Sequence, residues 1–389
     1  IITDTSNQGF HVYGESVRSS QIHNYSGDGV FVFTGFTFFK ALHLHDFSIW
    51  NKANSGTGTY PYMIYVDVLA QQTSIHDLWI DGGDFTGNGM YFEDAEMFSL
   101  RNIYMRRLAN SSGIDFQDMN LDRGNFTIDT VMIHKDAGAV NPVAYGMRFL
   151  SGSVSDTNSW HTIKLINFKT VGVTTGIKGP TDYGVLRNIS IDTCYFESAT
   201  TAIDLVATAA TAAVRGLEVR NTTFSACATC IDVDYTKNAK IELNTTINAT
   251  TTFLNVRANC EDITFGKQFY STNPTNRIVD ASNIVGIELD TSWGRLDNSA
   301  TPSVYSGIAA ARDNWGKNFY NLGGTTITDF TNGFPGQEIT LYCATAVTIT
   351  DGTNIFLSGS TNFVMKATDT LKLILYTDGN WYETGRSVN

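Results

Sequence analysis

The chain has 389 residues, a net charge of −12, 42% apolar residues and only 16% charged ones. That balance excludes a disordered chain, and the acidity disfavours nucleic acid, whose phosphates need clustered Lys and Arg. No apolar run reaches about 18 residues and no charged-plus-apolar leader is present, so neither a membrane span nor a signal peptide is expected.

The chain opens strand-like at Ile1-Ile2-Thr3 without an initiator Met, so upstream sequence is expected to be missing. From Gly29-Val30-Phe31-Val32-Phe33 onward one short phrase recurs: a small residue, then apolar residues separated by a variable one. It appears at Val30, Met63, Met90, Ile114, Met147, Ile177, Ile203, Ile231 and Leu254, eight steps over 224 residues with a mean of 28. A second phrase, apolar-x-x-apolar-x-apolar, recurs at Leu44–Ile49, Ile75–Ile80, Leu100–Met105, Ile128–Ile133 and Ile163–Phe168. It continues more loosely at Leu186–Ile191, Val214–Val219 and Ile241–Leu243. Period-two alternation without helical periodicity, repeated every 20–50 residues, defines a β-solenoid. The expected fold is all-β, a right-handed parallel β-helix of about nine coils over 1–296. Residues 51–60 and 134–145 read as loop insertions, where binding functions tend to sit. Coils from 183 to 260 look structural.

Five cysteines make no even framework, and the lone Cys227-x-x-Cys230 lacks the second pair a zinc site requires. Buried small residues are the expected role, with Cys194 equivalent to Thr222 and Cys230 to Ala202. His43, His45 and His76 gather near one face, but no carboxylate keeps a fixed spacing to them, so no metal and no cofactor are expected.

After residue 296 the repeat stops. Residues 297–324 read as a connector, and 325–389 as a separate β-unit. Its strands are Glu338–Tyr342, Val347–Thr350, Asn354–Leu357, Asn362–Lys366 and Thr370–Tyr376, set between Asp-Gly and Gly-Ser turns. Thr326-Ile-Thr-Asp-Phe, Gly336-Gln-Glu-Ile-Thr-Leu341, Thr350-Asp-Gly-Thr-Asn-Ile355, Asp369-Thr-Leu371 and the closing Trp381-Tyr-Glu with Arg386-Ser resemble the C-terminal module of phage tailspike and appendage proteins of the pectate-lyase-like kind. The resemblance covers 325–389 by motif and 19–265 by architecture. It implies a homotrimer on a virion tail that binds and cuts a bacterial surface polysaccharide outside the cell, with the C-terminal unit trimerising or capping.

In a parallel β-helix, equivalent residues of successive coils stack about 4.8 Å apart. The outward positions of the first phrase then form the column Phe31, Ile64, Tyr91, Asp115, Arg148, Lys178, Asp204, Asp232, Asn255. Those of the second form Ser48, Trp79, Tyr104, Met132, Asn167, Ser190, Glu218, Glu242. Aromatics and acids concentrate in the early coils. Hydrolysis of a glycan requires a protonated carboxyl and an ionised one, and Glu93, Asp115 and Asp118 are the candidates. Glu93 and Asp115 differ by one coil and two residues, about 8 Å between Cα atoms and compatible with inversion. Trp79, Tyr91 and Tyr104 are expected sugar platforms, with Arg148 and Lys178 orienting polar or charged units. Asp204 and Asp232 stack away from aromatics and read as turn-side or subunit-facing carboxylates. Two alternatives stay open: a lyase using Arg148, Lys178 and Tyr91 on a uronic-acid glycan, and a spike that binds glycan without cutting it. Hydrolysis is preferred because the aromatic-rich coils are acidic.

Overall fold

A computed structural model describes residues 9–25, 28–34, 41–52, 59–85, 88–108, 112–117, 123–135, 143–150, 159–248, 250–257, 259–266, 268–270, 276–280, 288–289, 308–309, 319–322, 326–331, 338–343, 345–376 and 378–388. The chain divides into two units, 1–288 and 289–389.

The first unit is a parallel β-helix. One sheet takes a single strand from each coil, ten in all, running from Phe31–Thr34 through Tyr62–Gln71, Asn88–Glu96, Ser112–Gln117 and Val143–Leu150 to Asn276–Asp280. The rest of each coil crosses a second and a third sheet joined by a sharp corner. Early coils pass the corner as one bent strand, Leu42–Asn51, Ser74–Phe85, Phe98–Leu108 and Arg123–His134. Later coils break there, as in Val185–Asp192 and Tyr195–Glu197.

The corner explains the second phrase. Asp46, Asp77, Asn102, Thr130, Asn167, Thr193, Asn221 and Leu243 all have φ between 51° and 62°. The flanking strands place these residues at equivalent positions in eight successive coils. Asp and Asn tolerate the left-handed region best, because their short polar side chains bond locally. Such a residue turns the chain while the apolar residues before and after it both point inward, which gives apolar-x-x-apolar.

A second left-handed row, Met97, Asn125, Thr162, Asn188, Gly216, Asn238 and Asp262, opens the second sheet. Its sequence pattern is the same, and this overturns part of the expected outward column. Leu186–Ile191 spans this earlier corner, and Leu100–Met105 spans the later one. The true neighbours of Met132 are Lys169, then Tyr195 and Thr223. Ser190 and Glu218 pair with Lys164 and Lys240 on the second sheet, Glu242 pairs with Arg220, and Asn167 is a corner residue.

Inside, Met90, Ile114, Met147, Ile177, Ile203 and Ile231 pair in one row, none more than 2% exposed. Beside it Phe92, Phe116 and Phe149 stack with centroids 5.7 and 5.5 Å apart. The glycines that open the first phrase have a steric cause. A Cβ on Gly89, Gly113, Gly146 or Gly176 would lie 2.4–2.6 Å from the carbonyl oxygen of the next coil. All five cysteines are buried free thiols, as expected of packing residues. Burial pushes the Cys194 thiol up to about 12 and Cys227 up to about 11, so both stay protonated and inert.

The second unit has its own core of Ile339, Leu341, Ile349, Leu371, Leu373 and Trp381. Antiparallel pairs Glu338–Cys343 with Thr370–Leu375, and the latter with Trp381–Ser387, form its centre. The expected connector over 297–324 lies mostly outside the described residues, but Phe319–Leu322 pairs in parallel with Glu338–Cys343 and so belongs to this sheet. Among the described residues no helix is long and apolar enough to cross a membrane, which says nothing of strands.

Candidate active site

The outer face of the first sheet carries Tyr91, Glu93 and Asp115, in a register one residue different from expectation over the first two coils. Phe31 pairs with Ile64 and Ile64 with Met90. Met63 and Ile64 are both fully buried, and a buried doublet leaves a period-two reading ambiguous by one residue. The outward column therefore begins Val32, Tyr65, Tyr91, Asp115, Arg148, Lys178, and Phe31 and Ile64 do not belong to it.

This shift brings in two residues that sequence reasoning missed, Tyr65 and Asp67. Asp67 pairs in register with Glu93 on the next coil, and Glu93 with Gln117. The missed signal is Tyr65-Val66-Asp67 against Tyr91-Phe92-Glu93, the same aromatic-x-acid phrase 26 residues apart. Tyr65 and Tyr91 stack with centroids 4.7 Å apart and planes 7° from parallel. Tyr62 leans on both, at 5.8 and 5.0 Å. The Tyr91 hydroxyl lies 3.0 Å from Glu93 Oε2 and 2.8 Å from Gln117 Oε1. Thr34 Oγ1 donates to Asp67 Oδ2 at 3.1 Å. Both carboxylates are half-buried.

Asp115 is placed differently from expectation. It shares the outward column, yet it is fully buried. Arg148 holds it through two bonds, Nε to Oδ1 at 3.0 Å and Nη2 to Oδ2 at 2.7 Å, and Tyr62 donates to Oδ2 at 3.0 Å. The Arg148 guanidinium also lies 4.8 Å over the Tyr145 ring. Lys178 is bound to Asp204 at 2.8 Å, and Asp232 to Arg257 at 2.9 Å. The two acids read as turn-side or subunit-facing thus lie on the first sheet's own strands, each ion-paired there. Asp118 lies outside the described residues, as does the side chain of Asp94.

The phenols are donors on this face. Burial pushes the hydroxyls of Tyr62, Tyr65 and Tyr91 well above the ordinary tyrosine range. The carboxylates beside them, Asp115 for Tyr62, Asp67 and Glu93 for Tyr65, and Glu93 for Tyr91, add to the rise. Burial works against the Arg148 charge, but Asp115 outweighs it and holds the guanidinium more firmly protonated than usual.

Trp79 and Tyr104 are not part of this face. They project from the third sheet, beyond the corner residues Asp77 and Asn102. There Trp50 and Trp79 stack 6.3 Å apart at 11°, and Tyr104 tilts against Trp79 at 4.8 Å. The expected platforms thus divide, Tyr91 with the acids and the other two elsewhere. The histidines stack on the second sheet, with His45 and His76 4.6 Å apart and His11 Nε2 2.7 Å from His45 Nε2. Among the described residues no group of three or more His, Cys, Asp or Glu is disposed to hold a metal.

No protein-family model and no curated protein matches the chain. Among solved structures, the fold is similar to the catalytic unit of a thermostable GH87 alpha-1,3-glucanase from Streptomyces thermodiastaticus strain HF3-3. Identity is 12% and the TM-score 0.35; the match covers 72% of this chain and 59% of that one.

Proposed function

We propose that the chain is a glycoside hydrolase that binds a polysaccharide across the outer face of the first sheet and cuts it with Asp67 and Glu93. The observation that carries this is their register: two half-buried acids paired directly on adjacent strands, each beside a stacked tyrosine. Strands in a sheet lie about 4.8 Å apart, which puts two such carboxyls near the about 5–5.5 Å separation of retaining glycosidases. One acid protonates the leaving glycosidic oxygen while the other, ionised, attacks the anomeric carbon. Water then releases the sugar, with the first acid now acting as base. Tyr91 holds Glu93 through its hydroxyl, and Tyr62 links the site to the Asp115–Arg148 pair. In this reading Asp115 is a positioning residue, and the expected stereochemistry changes from inversion to retention.

Hydrolysis is preferred here to the lyase alternative, which lacks a free base among the residues first considered for it. Arg148 and Lys178 are each bound to an acid, and the tyrosines hold their protons more tightly than usual. The C-terminal motifs support a tailspike-like setting: a bacterial capsule or O-antigen as substrate, a virion tail as location and a homotrimer as working form. The protein is then expected to sediment at about three times 42.7 kDa, and deleting 325–389 to leave monomers or aggregates. Incubation with capsule or O-antigen is expected to release reducing ends without absorbance near 235 nm. Unsaturated ends would mean elimination, and tight binding without fragments would mean a receptor-binding spike.

A further inference from the structure

We infer that a row of cations at the start of the second sheet is a binding site for an acidic polysaccharide, one that does no chemistry. It shares no residue with the acids proposed to cut, and most of it lies in coils whose sequence reads as structural.

The row is set by strand register. His161 pairs with Arg187, Arg187 with Arg215 and Arg215 with Lys237, on the strands Ser159–Ile166, Val185–Asp192, Val214–Arg220 and Thr236–Glu242. Adjacent strands lie about 4.8 Å apart, so two arginines and a lysine stand one above another. Like charges directly opposite on neighbouring strands cost stability, and the fold does little to offset them here. Neither Arg187 nor Arg215 makes an ion pair or a side-chain hydrogen bond among the described residues. Lys237 meets Glu261 at 2.7 Å, but that pair is solvent-exposed and worth little. The acids of the neighbouring rows are engaged elsewhere, Asp192 and Glu218 by Arg220 and Glu242 by Lys240.

The cations border the left-handed corner row, which here reads Thr162, Asn188, Gly216 and Asn238. Asn188 and Asn238 are exposed, and a Cβ on Gly216 would lie 2.9 Å from Asn188 Oδ1, so that amide rests over bare backbone. Past the corner Lys164 is exposed, again without an ionic partner among the described residues. Cations beside amides suit a ligand that carries carboxylates and hydroxyls together. A guanidinium matches a carboxylate in shape and charge, while an amide both donates to and accepts from a hydroxyl. The same side-chain chemistry repeated coil after coil fits a polymer whose charge also repeats, such as a pyranose chain with carboxylates along it. Nucleic acid fits less well, because these rows hold no Phe, Tyr or Trp on which bases would stack. On the first sheet Asp67 stands against Glu93, so an anionic chain is favoured at the cation row and not there. Such a row lets one polymer be held at a distance from the place where it is cut.

The test uses the full chain and three probes of matched length: oligogalacturonate, a neutral malto-oligosaccharide and single-stranded oligothymidylate. Binding is followed by calorimetry. Oligogalacturonate is expected to bind and to weaken as salt is raised. Its affinity is expected to fall at least ~10-fold when Arg187→Gln and Arg215→Gln are combined, and by less in Arg215→Gln alone. Removing stacked like charges relieves repulsion, so both variants are expected to melt at or above the parent's temperature. If the combined variant unfolds, the exposed Arg215→Gln carries the test. Glu93→Gln is expected to bind the probe as the parent does, whatever its turnover, so failure here is separable from failure of the hydrolase reading. No binding of the acidic probe, parent-level affinity in the arginine variants, or equal affinity for the neutral sugar would overturn the proposal. Tighter binding of oligothymidylate at these residues would overturn it in favour of nucleic acid.

Discussion

The outer faces of the first and third sheets are made by one backbone, and they treat charge in opposite ways. On the third sheet a fully buried acid, Asp81, is ion-paired with both Arg106 and Arg107. On the first sheet the ladder begins with two acids stacked on each other, Asp67 and Glu93, and only further along settles into opposite-charge pairs, Asp115 with Arg148 and Lys178 with Asp204. Stacking like charges costs stability in any sheet. Asp204 and Asp232 also stand in register, with Lys178 and Arg257 bound to them; the proposed function rests on Asp67 and Glu93 because theirs is the acid pair set beside stacked tyrosines.

The largest effect expected from breaking this contrast is on the third sheet. Asp81→Ala leaves two adjacent guanidiniums without their counter-charge. The cost is about 3 kcal/mol, at the low end for a broken buried pair because both arginines keep some contact with water. Chemical denaturation is the measurement, and an unchanged midpoint would mean the clamp carries no stability.

Asp67→Asn and Glu93→Gln are expected to do the reverse. Removing one of two stacked charges should raise stability by about 0.5–1 kcal/mol, as relief of a strained site commonly does, while turnover falls at least ~10²-fold. Loss of stability in both variants would mean the acids are structural. Asp115→Asn is expected to lose stability and turnover together, through Arg148 and Tyr62.

Smaller still is the acid response of the corners that separate these faces. Asp77 and Asp192 are raised by burial but lowered more strongly by their partners, Asn102 and His76 for Asp77 and Asn221, Thr193 and Arg220 for Asp192. Both end below the usual carboxylate range. A depressed acid contributes stability above about pH 4 that is lost as pH falls through its folded value. His43 is lowered by burial and then by His11, His45 and His76. Its neutral form is the one the fold favours, so stability begins to fall once pH drops below about 6.5. Melting temperature against pH should show this shallow first step, and His43→Gln should remove it. A step that persists in that variant would assign it to another group.

The faces also show what a sequence of this kind reveals. Coil spacing, the interior row from Met90 to Ile231 and the burial of the cysteines were all legible, because repeated steric demands write repeated residues. The adjacency of Asp115 and Arg148 was legible as well, since both fall in one column. Their burial was not, because Tyr62 covers Asp115 from a coil whose register could not be fixed: Met63 and Ile64 are equally apolar. Trp79 and Tyr104 were placed in the correct column, but that column lies on a different sheet from Tyr91 and Glu93, because a linear pattern does not show which side of a left-handed corner it lies on. From Ile163 onward two corners with the same apolar-x-x-apolar signature were interchangeable on paper. Only the pairing of strands separates them.

The central claim is that Asp67 and Glu93 together cut the glycan. It is tested most directly by turnover of purified, folded Asp67→Asn and Glu93→Gln on the polysaccharide the parent protein degrades, with the anomeric form of the first product read by proton NMR. The account predicts at least a ~10²-fold loss of turnover in each variant, with binding retained, and retention of configuration by the parent. Parent-level turnover in both variants, or an inverted product, would contradict it.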